Sequence, residues 1–98
     1  MAEKWNNKHK DLVIKMTPQE ALNICHFGFG FDIVCDMCNC ETTGDEFVYY
    51  VASINQLFCS DCVRLYVKRE KYIYEKYTDN ELYNYNYYAR LLGLETID

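Results

Sequence analysis

The chain has 98 residues, a length that corresponds to one domain with a small core. Half of the residues are hydrophobic and only one is a proline, a composition that excludes a disordered chain. No apolar run is long enough to span a membrane, and the polar residues 1–8 lack the apolar core of a signal peptide, so we expect a cytoplasmic protein.

The net charge of −5 is unevenly distributed along the chain. Residues 32–62 have no Lys or Arg but contain six acidic residues: Asp32, Asp36, Glu41, Asp45, Glu46 and Asp61. Because nucleic-acid binding depends on Lys and Arg that neutralise phosphates, this segment is not expected to bind DNA or RNA. The alternative is that the acidic residues form only a solvated surface.

The amino-terminal residues 1–16 are predicted as a mobile polar arm followed by a short strand at Leu12–Ile14. Trp5 is the exception in this arm, because a large aromatic side chain gains free energy by docking on the body of the domain.

Residues 17–31 are predicted as an amino-terminal helix and a Phe/Gly segment. Thr17 is a favourable N-cap, Pro18 suits the first helical position, and Glu20 completes a capping box. We expect this helix to run from Pro18 to about Phe27. The aromatic residues that alternate with glycine after it predict a strand or tight connection in the core, and the alternative is an apolar partner surface.

Four cysteines form two C-x-x-C pairs with twenty residues between them: Cys35 and Cys38, then Cys59 and Cys62. Two intervening residues let the backbone turn so that both sulfurs face one ion, and four thiolates complete a tetrahedral zinc shell. In the reducing cytosol such pairs bind metal in preference to forming disulfides. We therefore predict one structural Zn²⁺, with a redox disulfide between Cys35 and Cys38 as the alternative.

The two cysteine pairs are predicted to lie in different local structures. Asn39 follows the first pair at a position that often requires a positive φ, which Asn tolerates. Residues 46–52 and 57–59 are predicted as the two strands of a hairpin. Ser60 can cap a helix that begins near Asp61, so Cys62 would lie at the positive end of this helix, where a thiolate is favoured.

Residues 78–93 are predicted as a final helix that begins with a capping box at Thr78 and stops at Gly93. The residues expected to face inward are Leu82, Tyr85, Ala89 and Leu92.

The chain contains ten tyrosines, and seven of them lie between Tyr72 and Tyr88. On helices they cannot all face one core, and tyrosine is enriched in protein interfaces. The candidate partner surface consists of Tyr72, Tyr83, Tyr87 and Tyr88. The alternative is that an AT-rich genome favours tyrosine codons.

The order of knuckle, hairpin and ligand-bearing helix resembles the treble-clef zinc finger. The resemblance rests on residues 35–38, on the hairpin from Phe47 to Phe58, and on residues 59–62, and it covers under half of the chain. The predicted fold class is therefore α+β: a small zinc-stabilised treble clef over residues 32–77, with an amino-terminal helix and a carboxy-terminal helical extension, in a single domain of residues 1–98.

Three further side chains are of a type that can bind metal, but their spacing is less suitable for a ligand. Cys40 is the alternative to Cys38 as a ligand, although C-x-x-C makes the better turn. Cys25 is predicted as a small buried hydrophobic residue, and His26 as a packed or surface histidine.

A closed shell of four thiolates leaves zinc no open position for catalysis, so we do not expect an enzyme. The treble-clef resemblance and the acidic composition together imply a zinc-binding protein that binds another protein. A second copy of the same chain is an alternative partner. The first alternative is a small acidic inhibitor, of the kind a phage encodes, that mimics nucleic acid and blocks a nucleic-acid enzyme. The second is a nucleic-acid-binding finger that uses Arg64, Lys68 and Lys71.

Overall fold

A computed structural model describes residues 2–6, 11–24, 34–42, 44, 46–68 and 77–97. Their architecture is α+β, with three helices and a four-stranded antiparallel sheet in the order β1-β2-β3-β4. The strands are β1 (Glu3–Lys4), β2 (Val13–Met16), β3 (Val48–Val51) and β4 (Gln56–Phe58). The helices are α1 (Pro18–Ile24), α2 (Ser60–Lys68) and α3 (Asp79–Leu92).

The sheet is covered on both faces, and alternate residues of the inner strand β3 pack into different cores. Val48 and Tyr50 of β3 belong to a core cluster shared with Ala21 of α1 and Tyr85 of α3. The intervening Tyr49 and Val51 pack with Phe58, Cys62 and Val63 on the face that carries α2. Because successive side chains of a strand point to opposite faces, burial on both faces explains why this strand is a continuous apolar run rather than an alternating one.

The predicted hairpin is confirmed, with Tyr49 paired to Phe58 and Val51 paired to Gln56. Asn55 in its turn has φ 52°, and its side chain accepts a hydrogen bond of 2.6 Å from the Tyr50 hydroxyl.

The amino-terminal arm is more ordered than its composition predicts. Glu3 and Lys4 form β1, which pairs with Lys15 and Ile14 of β2. The Trp5 ring lies 5.1 Å from the Tyr49 ring in an edge-to-face contact. The prediction of a mobile arm is therefore wrong for residues 3–4, because β2 offers them backbone hydrogen-bonding partners that composition cannot reveal.

The capping box of α1 is confirmed. The Glu20 N–H donates to the Thr17 hydroxyl at 3.2 Å, and the Thr17 N–H donates to the Glu20 carboxylate at 3.0 Å. The same carboxylate accepts from the Ala2 N–H at 2.9 Å, which ties the start of the chain to the helix. The predicted continuation to Phe27 and the Phe/Gly segment lie outside the described residues.

Helix α3 has the predicted N-cap at Thr78 and the predicted stop at Gly93, but only half of the predicted capping box forms. Thr78 accepts a hydrogen bond from the Glu81 N–H at 3.1 Å, and Gly93 adopts a left-handed conformation with φ 77°. The Glu81 side chain is buried and accepts instead from the Leu12 N–H at 3.3 Å. Of the residues predicted to face inward, Tyr85 and Ala89 are buried, and the two leucines pack partly buried against the same core.

Among the described residues, no helix combines the length and the apolar character that crossing a membrane requires.

Candidate metal centre

The first cysteine pair lies on a tight turn that brings the chain back on itself. Val34 and Glu41 form an antiparallel bridge, and the Cys35 N–H donates to the Cys40 carbonyl at 3.0 Å. The Asn39 N–H donates to the Cys35 carbonyl at 2.8 Å, and Asn39 has φ 61°. The predicted positive φ is therefore confirmed, and it turns the chain directly after Cys38.

This turn is attached to the hairpin through Asp36. The Asp36 N–H donates to the Leu57 carbonyl at 2.8 Å, and the Leu57 N–H donates to the Asp36 carboxylate, also at 2.8 Å. Because Leu57 belongs to the edge strand β4, these two bonds fix the first pair relative to the second pair, which follows β4 directly.

The second pair joins the hairpin to α2. Cys59 immediately precedes the helix, and Cys62 lies in its first turn. The Val63 N–H donates to the Cys59 carbonyl at 3.0 Å, which holds both residues in one helical turn. The helix begins at Ser60, one residue before the predicted start, within the usual uncertainty of a helix boundary.

The four predicted ligands come together. The Sγ atoms of Cys35, Cys38, Cys59 and Cys62 all lie within 4.8 Å of one another, and those of Cys38 and Cys59 are 3.9 Å apart. Tetrahedral zinc with Zn–S bonds of about 2.3 Å requires sulfurs roughly 3.8 Å apart. The donor type, the number of donors and their spacing therefore fit a zinc-like ion, which all four thiolates would hold.

The four thiols differ in acidity. Burial acts to raise the pKa of Cys35, but hydrogen bonds from the backbone N–H groups of Cys38, Cys59 and Met37 outweigh it and lower this pKa to about 7. Burial raises the pKa of Cys62, and the neighbouring thiols raise it further. The pKa of Cys59 is also raised, first by burial. A divalent cation is what allows four thiolates to coexist at neutral pH.

The predicted effect of the helix end on Cys62 is therefore outweighed. Cys62 is only 6% exposed, and its first-turn position does not offset the loss of hydration and the crowding of other sulfurs.

The alternative thiol is not part of this cluster. Cys40 is exposed, and the group of potential ligands among the described residues contains the other four cysteines and not Cys40. No disulfide joins the described cysteines. Cys25 and His26 lie outside the described residues.

A groove of about 670 Å³ borders the cysteine cluster on its exposed side. Glu41, Glu46 and Asp61 line it, and so do Lys15 from β2 and Arg64 from α2. The Lys15 Nζ lies 4.1 Å from the centre of the Phe47 ring. The acidic segment is thus not a uniformly negative surface, because the fold brings two cations beside it.

The packing of α3 leaves two of the predicted surface tyrosines exposed and buries a third. Tyr83 is 69% exposed and Tyr87 is 40% exposed. Tyr88 is buried, with its ring 4.6 Å from the Tyr50 ring, so it is unavailable to a partner. Tyr72 lies outside the described residues.

Sequence reasoning missed Leu91, which is 51% exposed. It lies four residues beyond Tyr87, as Tyr87 lies four beyond Tyr83, so the three share one side of α3. The i, i+4, i+8 spacing was a usable signal. We call Tyr83, Tyr87 and Leu91 the α3 stripe.

Comparison with known protein families, with curated proteins and with solved structures finds no significant match to this chain.

Proposed function

We propose that this chain is a non-enzymatic zinc-binding protein that binds another protein through the α3 stripe. The observation that carries the proposal is a pair of exposed tyrosines, with an exposed leucine, on a helix whose opposite side is anchored in the core. Exposed tyrosines on a rigid helix offer large contact area at low cost in side-chain entropy.

The treble-clef assignment is part of this proposal. It is supported by the order of elements: the Asn39 turn, the β3–β4 hairpin, and α2 with Cys62 in its first turn. The zinc would cross-link these three pieces and supply no open coordination position, because four thiolates fill a tetrahedral shell.

The metal centre and the stripe lie on opposite faces of the sheet. Cys35 and Cys62 belong to the core that α2 covers, and α3 packs on the other core. In this arrangement the metal stabilises the sheet, and the sheet holds α3 in place without taking part in the contact itself.

The experiment is capture from a lysate of the source organism with tagged wild-type protein and with a Tyr83→Ser/Tyr87→Ser variant, compared by quantitative mass spectrometry. A partner that binds the stripe is depleted at least about tenfold by the variant, because interface tyrosines contribute about 1 kcal/mol or more each. The matched control is Ile54→Ser, which alters an exposed apolar residue on the hairpin turn. Equal capture by wild type and the double variant contradicts the proposal.

A second candidate is the acidic inhibitor that mimics nucleic acid. It is favoured by four exposed acidic residues around the cysteine cluster: Asp36, Glu41, Glu46 and Asp61. Lys15 and Arg64 beside them weaken the resemblance to a phosphate backbone.

Two binding assays separate these functions. A mimic displaces DNA or RNA from its target enzyme, and the displacement weakens as salt increases. A nucleic-acid-binding finger, which would use Arg64 and Lys68 of α2, instead shifts labelled DNA or RNA in an electrophoretic assay at low salt. The α3 proposal predicts neither result.

A further inference from the structure

The exposed side of helix α3 that carries the α3 stripe also carries two charged residues of opposite sign. Asp79 begins the helix, and Arg90 lies in its last turn. Both are exposed, and no described residue forms a salt bridge with either one. At 100° per residue, they fall within about 40° of Tyr83 around the helix axis.

The two patterns share one centre. Asp79 and Arg90 are eleven residues apart, which is about 16 Å along the helix, and their midpoint falls between Asn84 and Tyr85. The midpoint of Tyr83 and Tyr87 falls at Tyr85. The two midpoints differ by half a residue, or about 0.8 Å along the axis.

An antiparallel copy of α3, related by a two-fold axis at this centre, therefore satisfies both patterns at once. Tyr83 of one chain meets Tyr87 of the other, and the reverse contact repeats it by symmetry. Asp79 of each chain meets Arg90 of the other, which makes two ion pairs, one at each end of the contact. Leu91 of each chain lies beside Asn80 of the other. A surface whose residues complement themselves under a two-fold rotation is the requirement for an isologous dimer.

The geometry points to a second copy of this chain as a partner of the α3 stripe, in an antiparallel, two-fold symmetric dimer. This inference rests on the proposed use of the stripe as a protein-binding surface. One face of a helix about 21 Å long is smaller than a standard interface of roughly 1,600 Å². The dimer is therefore weak and reversible, and it forms at high protein concentration.

Sedimentation equilibrium over a concentration series tests the dimer with the metal-loaded full chain. Wild type is expected to shift from monomer to dimer as the concentration rises. The variants Asp79→Arg and Arg90→Asp each place like charges opposite one another twice, so each should weaken association at least tenfold.

An equimolar mixture of these two variants provides the rescue. In the mixed dimer, the new Arg at position 79 of the first variant meets the new Asp at position 90 of the second. The other pair joins the unchanged Arg90 of the first variant to the unchanged Asp79 of the second. The mixture should regain wild-type association, which a variant that failed to fold could not do. The Asp79→Arg/Arg90→Asp double variant should also associate, and Ile54→Ser should leave association unchanged.

Three results overturn the inference: a wild-type chain that stays monomeric up to its solubility limit, a dimer that the charge reversals do not weaken, or a weakened association that the mixture does not restore. The capture experiment with Tyr83→Ser/Tyr87→Ser distinguishes this failure from failure of the proposed function. Capture that depends on the two tyrosines, from a chain that remains monomeric, removes the self-association and leaves the protein-binding function in place.

Discussion

At the residue scale, the candidate metal centre depends on single side chains held by particular backbone bonds. Cys35 and Cys62 are buried, while Cys38 is exposed and Cys59 is half-buried. The cluster is therefore closed on the side of the sheet and open towards the groove. The C-x-x-C spacing made each pair predictable, because it constrains the two sulfurs of a pair locally. The hairpin and the bonds between Asp36 and Leu57 then bring the two pairs together.

Replacing one buried ligand should abolish stoichiometric metal binding. Cys62→Ser removes one thiolate of four and leaves a polar group in a buried place, so the free energy of unfolding should fall by about 4 kcal/mol or more. Metal content after gel filtration, measured by mass spectrometry, and urea unfolding report the two effects. Cys40→Ser is the matched control, because Cys40 is exposed and outside the cluster. Loss of metal in the control, with retention in Cys62→Ser, would identify Cys40 as the ligand.

The backbone conformation at Asn39 provides a second residue-scale prediction. Its φ of 61° is unfavourable for residues with a Cβ atom and is tolerated by Asn. Asn39→Ala should lower the free energy of unfolding of the metal-loaded protein by about 1 kcal/mol. Asn39→Gly should change it by less than about 0.5 kcal/mol, because glycine accepts this conformation. Equal destabilisation by both substitutions would show that the Asn side chain, and not the backbone, is what matters.

At the element scale, helix ends were more predictable than strand partners. The caps at Thr17, Thr78 and Gly93 lie within a few residues of the groups they satisfy, so local sequence contains the whole interaction. The pairing of β1 with β2 involves residues about ten positions apart, and nothing in a two-residue strand indicates its partner.

The capping box of α1 makes the free energy of unfolding depend on pH, because it contains the Glu20 carboxylate. Burial opposes ionisation of Glu20, but hydrogen bonds from the Thr17 and Ala2 N–H groups outweigh it, so its pKa is lowered. A carboxylate whose pKa is lower in the folded state stabilises the protein above its unfolded pKa, roughly 4.3. That contribution disappears as the pH falls through the lower, folded pKa.

Glu20→Gln should therefore destabilise the protein at pH 7 by about 1 kcal/mol, and the difference from wild type should shrink below about pH 4. Urea unfolding at a series of pH values measures this difference, and effects common to both proteins, such as metal release in acid, cancel. Glu95→Gln, at an exposed glutamate in the carboxy-terminal tail, is the control and should leave stability unchanged. A difference between Glu20→Gln and wild type that is constant from pH 7 to 3 would contradict the assignment.

At the scale of the whole molecule, two cores share one thin sheet. The core beneath α2 contains two of the cysteines, and the other core is built by α1, α3 and the tail that follows α3. The Asn86 side chain donates to the Ile97 carbonyl at 2.7 Å and accepts from its N–H at 2.8 Å, which fixes this tail to the helix. Because β3 contributes residues to both cores, loss of one core exposes apolar surface that the sheet had buried.

Removal of the metal should consequently destabilise the whole domain. A strong chelator should lower the melting temperature by more than about 15 °C, and the far-UV circular dichroism should lose helical signal near physiological temperature. Hydrogen exchange should accelerate first in residues 34–42 and in α2, and later in α3, which packs on the opposite core. An unchanged circular dichroism spectrum and melting temperature after verified metal removal would rule out a structural metal.

The sequence by itself determined the two cysteine pairs, the hairpin, the positive φ at Asn39 and the caps of α3 at Thr78 and Gly93, because each depends on spacing or on contacts between near neighbours. Only the tertiary structure decided which tyrosines are exposed, since Tyr83 and Tyr88 look alike in sequence and differ in the side of α3 they occupy. The fold also placed Lys15 of β2 beside an acidic segment that lacks cations of its own. Charge and exposure are properties of a surface, and the surface exists only after distant segments have packed together.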